Sequence, residues 1–294
     1  MLDLILDVFL ETLLDCLKLL PFLFLTYLLM EFLEHRAKQK TTDLLRKNGI
    51  LGPLCGSVAG TLPQCGFSAA AAGLYAARLI TLGTLFAVFL STSDEMLPIL
   101  LSAVVNGCMR ITQLLGILFT KILIALICGC LVDGVIHLIY KGKSEKPQHQ
   151  IYDLCEQEHC HCERGGIVRS ALTHTVRIIL FVFVVLLFLN IIVHAIGTQH
   201  LGQLVAQTGI LAVFITPLIG LIPNCAASVL ISNLFLEQMI GYGTMLGGLL
   251  TASGVGILIL FRQNRPMRQN FIIAGILYFI GCLVGLIGQW ILPV

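Results

Sequence analysis

The sequence predicts an all-α polytopic membrane protein built from two inverted-topology repeats, each with three spanning helices and a re-entrant helical hairpin, about ten hydrophobic segments in all. Three observations carry this expectation. Of 294 residues, 57% are hydrophobic and 12% charged, and mean hydropathy is +0.95, which leaves too little polar side chain to cover a soluble globule. A proline-centred segment, Gly60-Thr61-Leu62-Pro63-Gln64-Cys65, returns 160 residues later as Gly220-Leu221-Ile222-Pro223-Asn224-Cys225. Finally, the basic loops sit at opposite ends of the two copies.

Apolar runs of roughly 20 residues, enough to cross about 30 Å of hydrocarbon, lie at 16 to 33, 80 to 105, 111 to 139, 174 to 196, 240 to 261 and 270 to 292. Two more, at 50 to 77 and 208 to 236, are interrupted, and hairpins that enter and leave on one side would give each half three crossings. Before the first span, Asp3, Asp7, Glu11 and Asp15 recur every four residues along one helical face, with Lys18 following. Like charges at that spacing need water or a cation beside them, so the stripe reads as an amphipathic entrance to the span or as a vestibule for cations. The N-terminus has no basic residue and no small-residue cleavage pattern, so no cleaved signal peptide is expected. The organisation that follows is a first membrane repeat at 1–140, a linker at 141–168 and a second, inverted repeat at 169–294.

Lys and Arg set the orientation. Arg36, Lys38, Lys40, Arg46 and Lys47 form one cluster, Lys141, Lys143, Lys146, Arg164 and Arg169 a second, and Arg262, Arg265 and Arg268 a third. The stretches that match the first and third clusters at the 160-residue offset, 197 to 207 and 102 to 108, contain no Lys or Arg. With the clusters in the cytoplasm, both termini are external, the linker is cytoplasmic and Arg110 is the exception. The protein is thus expected in a prokaryotic cytoplasmic membrane. A net charge of +2, with most Lys and Arg in such short clusters, gives no signal for nucleic acid and none is expected as a partner; the bilayer is the expected one, and self-association into a homo-oligomer is left open.

An ungapped comparison of 60–95 with 220–255 gives ten identities: Gly60, Pro63, Cys65, Ser68, Leu74, Ile80, Gly83, Thr84, Leu90 and Ser93. Several are helix breakers or small polar residues, which shared apolar composition alone does not produce. Inverted repeats place a binding site near the midplane, where broken helices from both halves meet. Pro63 and Gly66 in one copy, and Pro223 in the other, mark tips where Gln64, Cys65, Asn224 and Cys225 offer amide oxygens and thiols. A plain kink packed by small residues is the competing reading.

The second break, Ser91-Thr92-Ser93-Asp94-Glu95 before Pro98, sets two carboxylates in mid-span; its counterpart is Thr251-Ala252-Ser253-Gly254. An acid at the bilayer centre costs about 2.5–3.5 kcal/mol on insertion scales and is a functional candidate by default. Unwinding before Pro98 would let Asp94 and Glu95 converge with Thr92 and Ser93, a geometry suited to a cation, against the alternative of a short surface loop. Carboxylates and amides favour Mn²⁺ or another hard divalent ion, whereas Cys65 and Cys225 favour thiophilic species. Most of the eleven cysteines lie in or beside apolar spans and are expected to be reduced thiols. In the linker, Cys155, His159, Cys160, His161 and Cys162 could bind a soft or borderline metal, although the spacing matches no common zinc pattern; a solvated linker is the alternative.

The chain resembles the ten-helix heavy-metal exporters of bacteria and archaea, described as manganese transporters or arsenic efflux proteins. The resemblance rests on Pro63-Gln64-Cys65-Gly66-Phe67-Ser68, Thr92-Ser93-Asp94-Glu95, Pro223-Asn224-Cys225 and the Cys/His-rich middle loop. It implies efflux of a metal across the cytoplasmic membrane, and an architecture like that of elevator transporters. No phosphate-binding loop of the Gly-x-x-x-x-Gly-Lys-Ser/Thr type is present, so transport is expected to be secondary, with protons as the counter-ion. The expected activity is export of Mn²⁺ or another divalent cation, with Asp94, Glu95, Ser93, Thr92, Gln64, Cys65, Asn224, Cys225 and Ser253 around the ion. An arsenical or thiophilic permease is the alternative, and a membrane metal-sensing or thiol-redox protein is the alternative outside transport. No enzymatic activity and no resident cofactor are expected.

Overall fold

The computed structural model describes residues 2–36, 51–140, 167–196, 202, 205 and 208–291. Every regular element among them is helical. The first half supplies α1 (Leu2–Arg36), α2 (Leu51–Ala59), α3 (Cys65–Ala76), α4 (Leu82–Ser91), α5 (Met96–Val105) and α6 (Ile111–Tyr140). The second supplies α7 (Ile167–Ile196), α8 (Ala212–Gly220), α9 (Cys225–Leu236), α10 (Tyr242–Thr251), α11 (Val255–Gln263) and α12 (Met267–Ile291). The offset of the sequence repeat carries α3 onto α9 and α4 onto α10 residue for residue.

Among the described residues, five stretches are long and apolar enough to cross a membrane: Leu82–Val105, Ile111–Leu138, Ala171–Val193, Tyr242–Gln263 and Met267–Trp290. This is an all-α membrane protein. The remaining expected span, 16 to 33, lies within the 35-residue helix α1, which carries Pro21 at mid-length. The interrupted segments are pairs of short helices, α2 with α3 and α8 with α9. At the first tip Leu62 N donates to Ala59 O at 3.2 Å and Gln64 N to Leu62 O at 2.7 Å, so the chain turns within a few residues. The arms then part company: α2 packs on α4 and α6, whereas α3 packs on α1, α4 and α11.

The two broken spans occupy the interior. Tyr242–Gln263 is 89% buried and Leu82–Val105 56%, against 22–28% for the three unbroken spans. Those three turn Phe119, Leu180, Phe188 and Phe279 outward, an apolar surface that a bilayer covers and water would not. Close approach inside relies on small residues. On α10, a side chain at Gly243 or Gly247 would strike the backbone of Gly281, Gly285 or Gly288 of α12; Gly52 and Gly56 of α2, and Gly60 just after it, likewise leave room for Thr84, Val88 and Ser91 of α4. The first helices of the two halves, α1 and α7, lie antiparallel. Asn190 Nδ2 donates to Thr12 Oγ1 at 2.8 Å near one end, and the Tyr27 ring stacks on His174 at 5.7 Å near the other.

Helix α4 is fixed at its start by a carboxylate from α6. Asp133 Oδ1 accepts from Gly83 N at 2.8 Å and Oδ2 from Thr81 Oγ1 at 2.6 Å, while Thr81 Oγ1 accepts from Thr84 N at 3.1 Å. A negative group there satisfies an orphan amide and complements the positive helix end. The basic stretches at 37–47 and 141–166, and with the latter the cluster Cys155, His159, Cys160, His161 and Cys162, fall outside the described residues.

Replacing Asp133 by Ala leaves the Gly83 amide without its acceptor and should lower stability by about 1–3 kcal/mol, a drop of several degrees in the detergent melting midpoint. An unchanged midpoint would contradict the capping role.

Candidate metal centre

Three hydroxyl residues end α4. Ser91 Oγ donates to Ala87 O at 2.8 Å, Thr92 Oγ1 to Val88 O at 2.8 Å and Ser93 Oγ to Ser91 O at 3.0 Å, so each bonds back to the chain and competes with continued helix. Thr92 leaves the helix at φ −49°, ψ 127°. In the second half Ala252 leaves α10 at φ −72°, ψ 74°, and Gly254 takes φ +55°, a left-handed value that glycine tolerates best. The two breaks bring helix C-termini, with their unpaired carbonyls, to the same buried region.

Lys121, from the middle of α6, reaches both. Its fully buried ammonium donates to the Thr92 carbonyl and, at 3.2 Å, to the Leu249 carbonyl in the last turn of α10. Two helix ends, each carrying roughly half a negative elementary charge, thus share one cation. The same ammonium is the positive charge that acts on Asp94.

Asp94 is buried, and neither of its carboxylate oxygens has a hydrogen-bond partner. The Lys121 charge and the Cys65 thiol act on it, yet a buried carboxylate without full hydrogen bonds still costs free energy, which calls for a further partner. The thiols of Cys65 and Cys225, at the starts of α3 and α9, lie 3.3 Å apart, and with an Asp94 oxygen all three ligand atoms fall within 4.8 Å of one another. Gly254, the counterpart of Asp94, faces it: a side chain there would meet Asp94 Oδ2. Ser253 Oγ, one residue before, is a further buried oxygen without a partner. Two thiols and a carboxylate form a donor set suited to zinc, cadmium or another thiophilic species.

Glu95 takes the other direction. It lines a cavity of about 710 Å³ together with Glu11, Asp15, Lys18, Glu237 and Cys225, so the cavity wall is acidic and reaches one of the two thiols. Lys18 pairs with Asp15 at 3.3 Å and also feels Glu95. A buried amide chain braces this wall: Asn224 Nδ2 donates to Asn190 Oδ1 at 2.6 Å, Asn190 donates to Thr12, and Asn224 Oδ1 caps α9 by accepting from Ala226 N at 3.1 Å.

Of the residues expected around an ion, the fold gathers Cys65, Cys225 and Asp94, with Ser253 at the adjoining break. Glu95 does not converge with Asp94, because neighbours at the start of α5 point apart. The Thr92 carbonyl is occupied by Lys121, and the Thr92 and Ser93 hydroxyls are turned onto the backbone. Asn224 serves as a cap, whereas Gln64, at the matching position, makes no side-chain cap. Pro63 and Pro98 are exposed, Pro223 is half-buried, and Gly66 is buried against Phe22. The Glu11 and Asp15 part of the N-terminal stripe faces the cavity, while the side chains of Asp3 and Asp7 lie outside the described residues. Sequence reasoning missed Lys121, Asn190 and Thr12. A lone lysine in the middle of an apolar span was the available signal for the first; nothing local marks the other two.

No family model, curated protein or solved structure matches this chain.

The thiol pair sits where the halves meet, which gives a direct check. In a variant retaining only Cys65 and Cys225, mild oxidation with diamide should join the two halves after proteolytic cleavage between α6 and α7. Halves that separate, with both thiols still open to alkylation, would contradict the placement.

Proposed function

We propose that this chain is a secondary transporter that exports a thiophilic metal species, such as Zn²⁺, Cd²⁺ or a trivalent arsenical, across the cytoplasmic membrane, with protons as counter-ions. The observation that carries the proposal is the buried, unpartnered Asp94 carboxylate beside the Cys65 and Cys225 thiols. Soft sulfur donors select thiophilic ions, and the carboxylate adds a fixed charge. Glu95, Glu11, Asp15 and Glu237 form an acidic approach that would raise the local concentration of cations before they reach Cys225. Export of a hard cation such as Mn²⁺ is the second reading, and that same acidic wall is what favours it.

The two-repeat reading of the fold supports transport rather than simple binding. Helices recur at one offset, α1 and α7 run antiparallel, and residues meet their own counterparts, Cys65 with Cys225 and Asp94 with Gly254. These are the relations expected of inverted halves about an axis in the membrane plane, with a site that each half can expose in turn. Helix α4, of ten residues, is about 15 Å long, half the hydrocarbon thickness, so its C-terminus lies near the midplane of such an arrangement.

In proteoliposomes, Zn²⁺ or Cd²⁺ flux driven by a pH gradient should exceed Mn²⁺ flux. Cys65→Ser, Cys225→Ser and Asp94→Asn should each reduce it by about tenfold or more, the effect of losing roughly 1.4 kcal/mol of ion binding. Glu95→Gln should slow uptake at low metal and spare it at saturation. Mn²⁺ flux that ignores both cysteine changes would remove the thiol site from the reading, and no flux of any tested species would remove transport itself.

A further inference from the structure

The Lys121 ammonium is a charge in an unusual place. It is wholly buried at the middle of a membrane span, where a lysine costs about 2.5–3.5 kcal/mol or more to insert. The hydrogen-bond acceptors of its Nζ are two main-chain carbonyls, Thr92 O and Leu249 O, one from each half, and the buried Asp94 carboxylate lies close enough to feel the same charge. Both belong to half-helix C-termini, whose last carbonyls have no intrahelical donor. Backbone carbonyls at the ends of broken helices are the ligands with which inverted-repeat transporters hold a coupling monovalent cation. The ammonium therefore stands where a free alkali cation would otherwise bind.

The repeat strengthens the point. The counterpart of Lys121 in α12 is Gly281, and a side chain there would collide with Thr251 and the Gly247 carbonyl. The second half holds α10 by close backbone packing and has no space for its own lysine. One cation thus serves two helix ends that together present roughly one unit of negative charge.

We propose that Lys121 is a tethered monovalent cation, filling a carbonyl-built cation site between the ends of α4 and α10, so that the protein needs no free sodium or potassium ion. Its consequence for coupling rests on the transporter reading, whereas the occupancy of the site does not. The test is melting of the purified protein in detergent, in sodium, potassium, ammonium and choline chlorides at equal ionic strength. The wild type should melt at one temperature in all four. Lys121→Ala should melt lower in choline and recover by at least about 2–4 °C in one of the small cations, present at several times its dissociation constant. Lys121→Gln, which fills the space and keeps a donor but no charge, should show the same cation preference with a smaller loss. Variants indifferent to the cation, variants that fail to fold in every salt, or a wild type that itself needs sodium or potassium would each overturn the proposal. If the cation preference appears while no metal flux is detected, the transporter reading fails and the tethered cation stands.

Discussion

The C-termini of α4 and α10 bring two negative helix ends and their spare carbonyls to one buried point, and the Lys121 ammonium between them is the contact on which the centre depends. Without a cation there, the ends would repel and their buried carbonyls would lack protein donors. Helix α6 supplies the complement at both ends of α4, Asp133 at the start and Lys121 at the finish, so the macrodipole of one short helix is matched along its length. The packing obeys this constraint: Gly129 lets α6 approach Gly83 closely, and the glycines of α12 do the same for α10. With the breaks held in place, Asp94 and Ser253 face inward at the adjoining turns, close to the two half-helix starts that carry the thiols.

Self-contact between the repeats explains why the halves differ. Where residue i meets residue i+160, identical side chains must tolerate each other. Two thiols do, at 3.3 Å. Two carboxylates would not, since like charges at contact distance oppose each other's ionisation. Hence Asp94 faces Gly254, which has neither the charge nor the volume to compete. Gly281, the counterpart of Lys121, is small for another reason: it packs against Thr251 and Gly247 of α10. The chemistry of the centre comes from departures from the repeat, and its frame comes from the repeat itself.

Much of this was legible in the chain. The doubled Pro-x-Cys segment marked the tips, and the turns before α3 and α9 fall there, because proline acts on the local chain. The run Ser91-Thr92-Ser93 marked the end of α4 for a similar reason, as side-chain hydroxyls that bond back to the chain act within one turn. Directions were not legible. Asp94 and Glu95 looked equivalent because adjacency in sequence says nothing about which face of a forming helix each residue takes. Asn224 looked like a ligand, and only the approach of Asn190 from α7 gives it a bracing partner. Lys121 was hidden in plain apolar text: its role needs two carbonyls from helices that are distant in the chain.

The central claim is that sulfur from both halves and the Asp94 carboxylate form one metal centre. X-ray absorption at the metal edge of the protein loaded with Zn²⁺ or Cd²⁺ tests this most directly. The account predicts two sulfur neighbours, at about 2.3 Å for zinc, completed by oxygen and reduced to one sulfur by Cys225→Ser. A shell of oxygen alone, unchanged by either cysteine substitution, would contradict it.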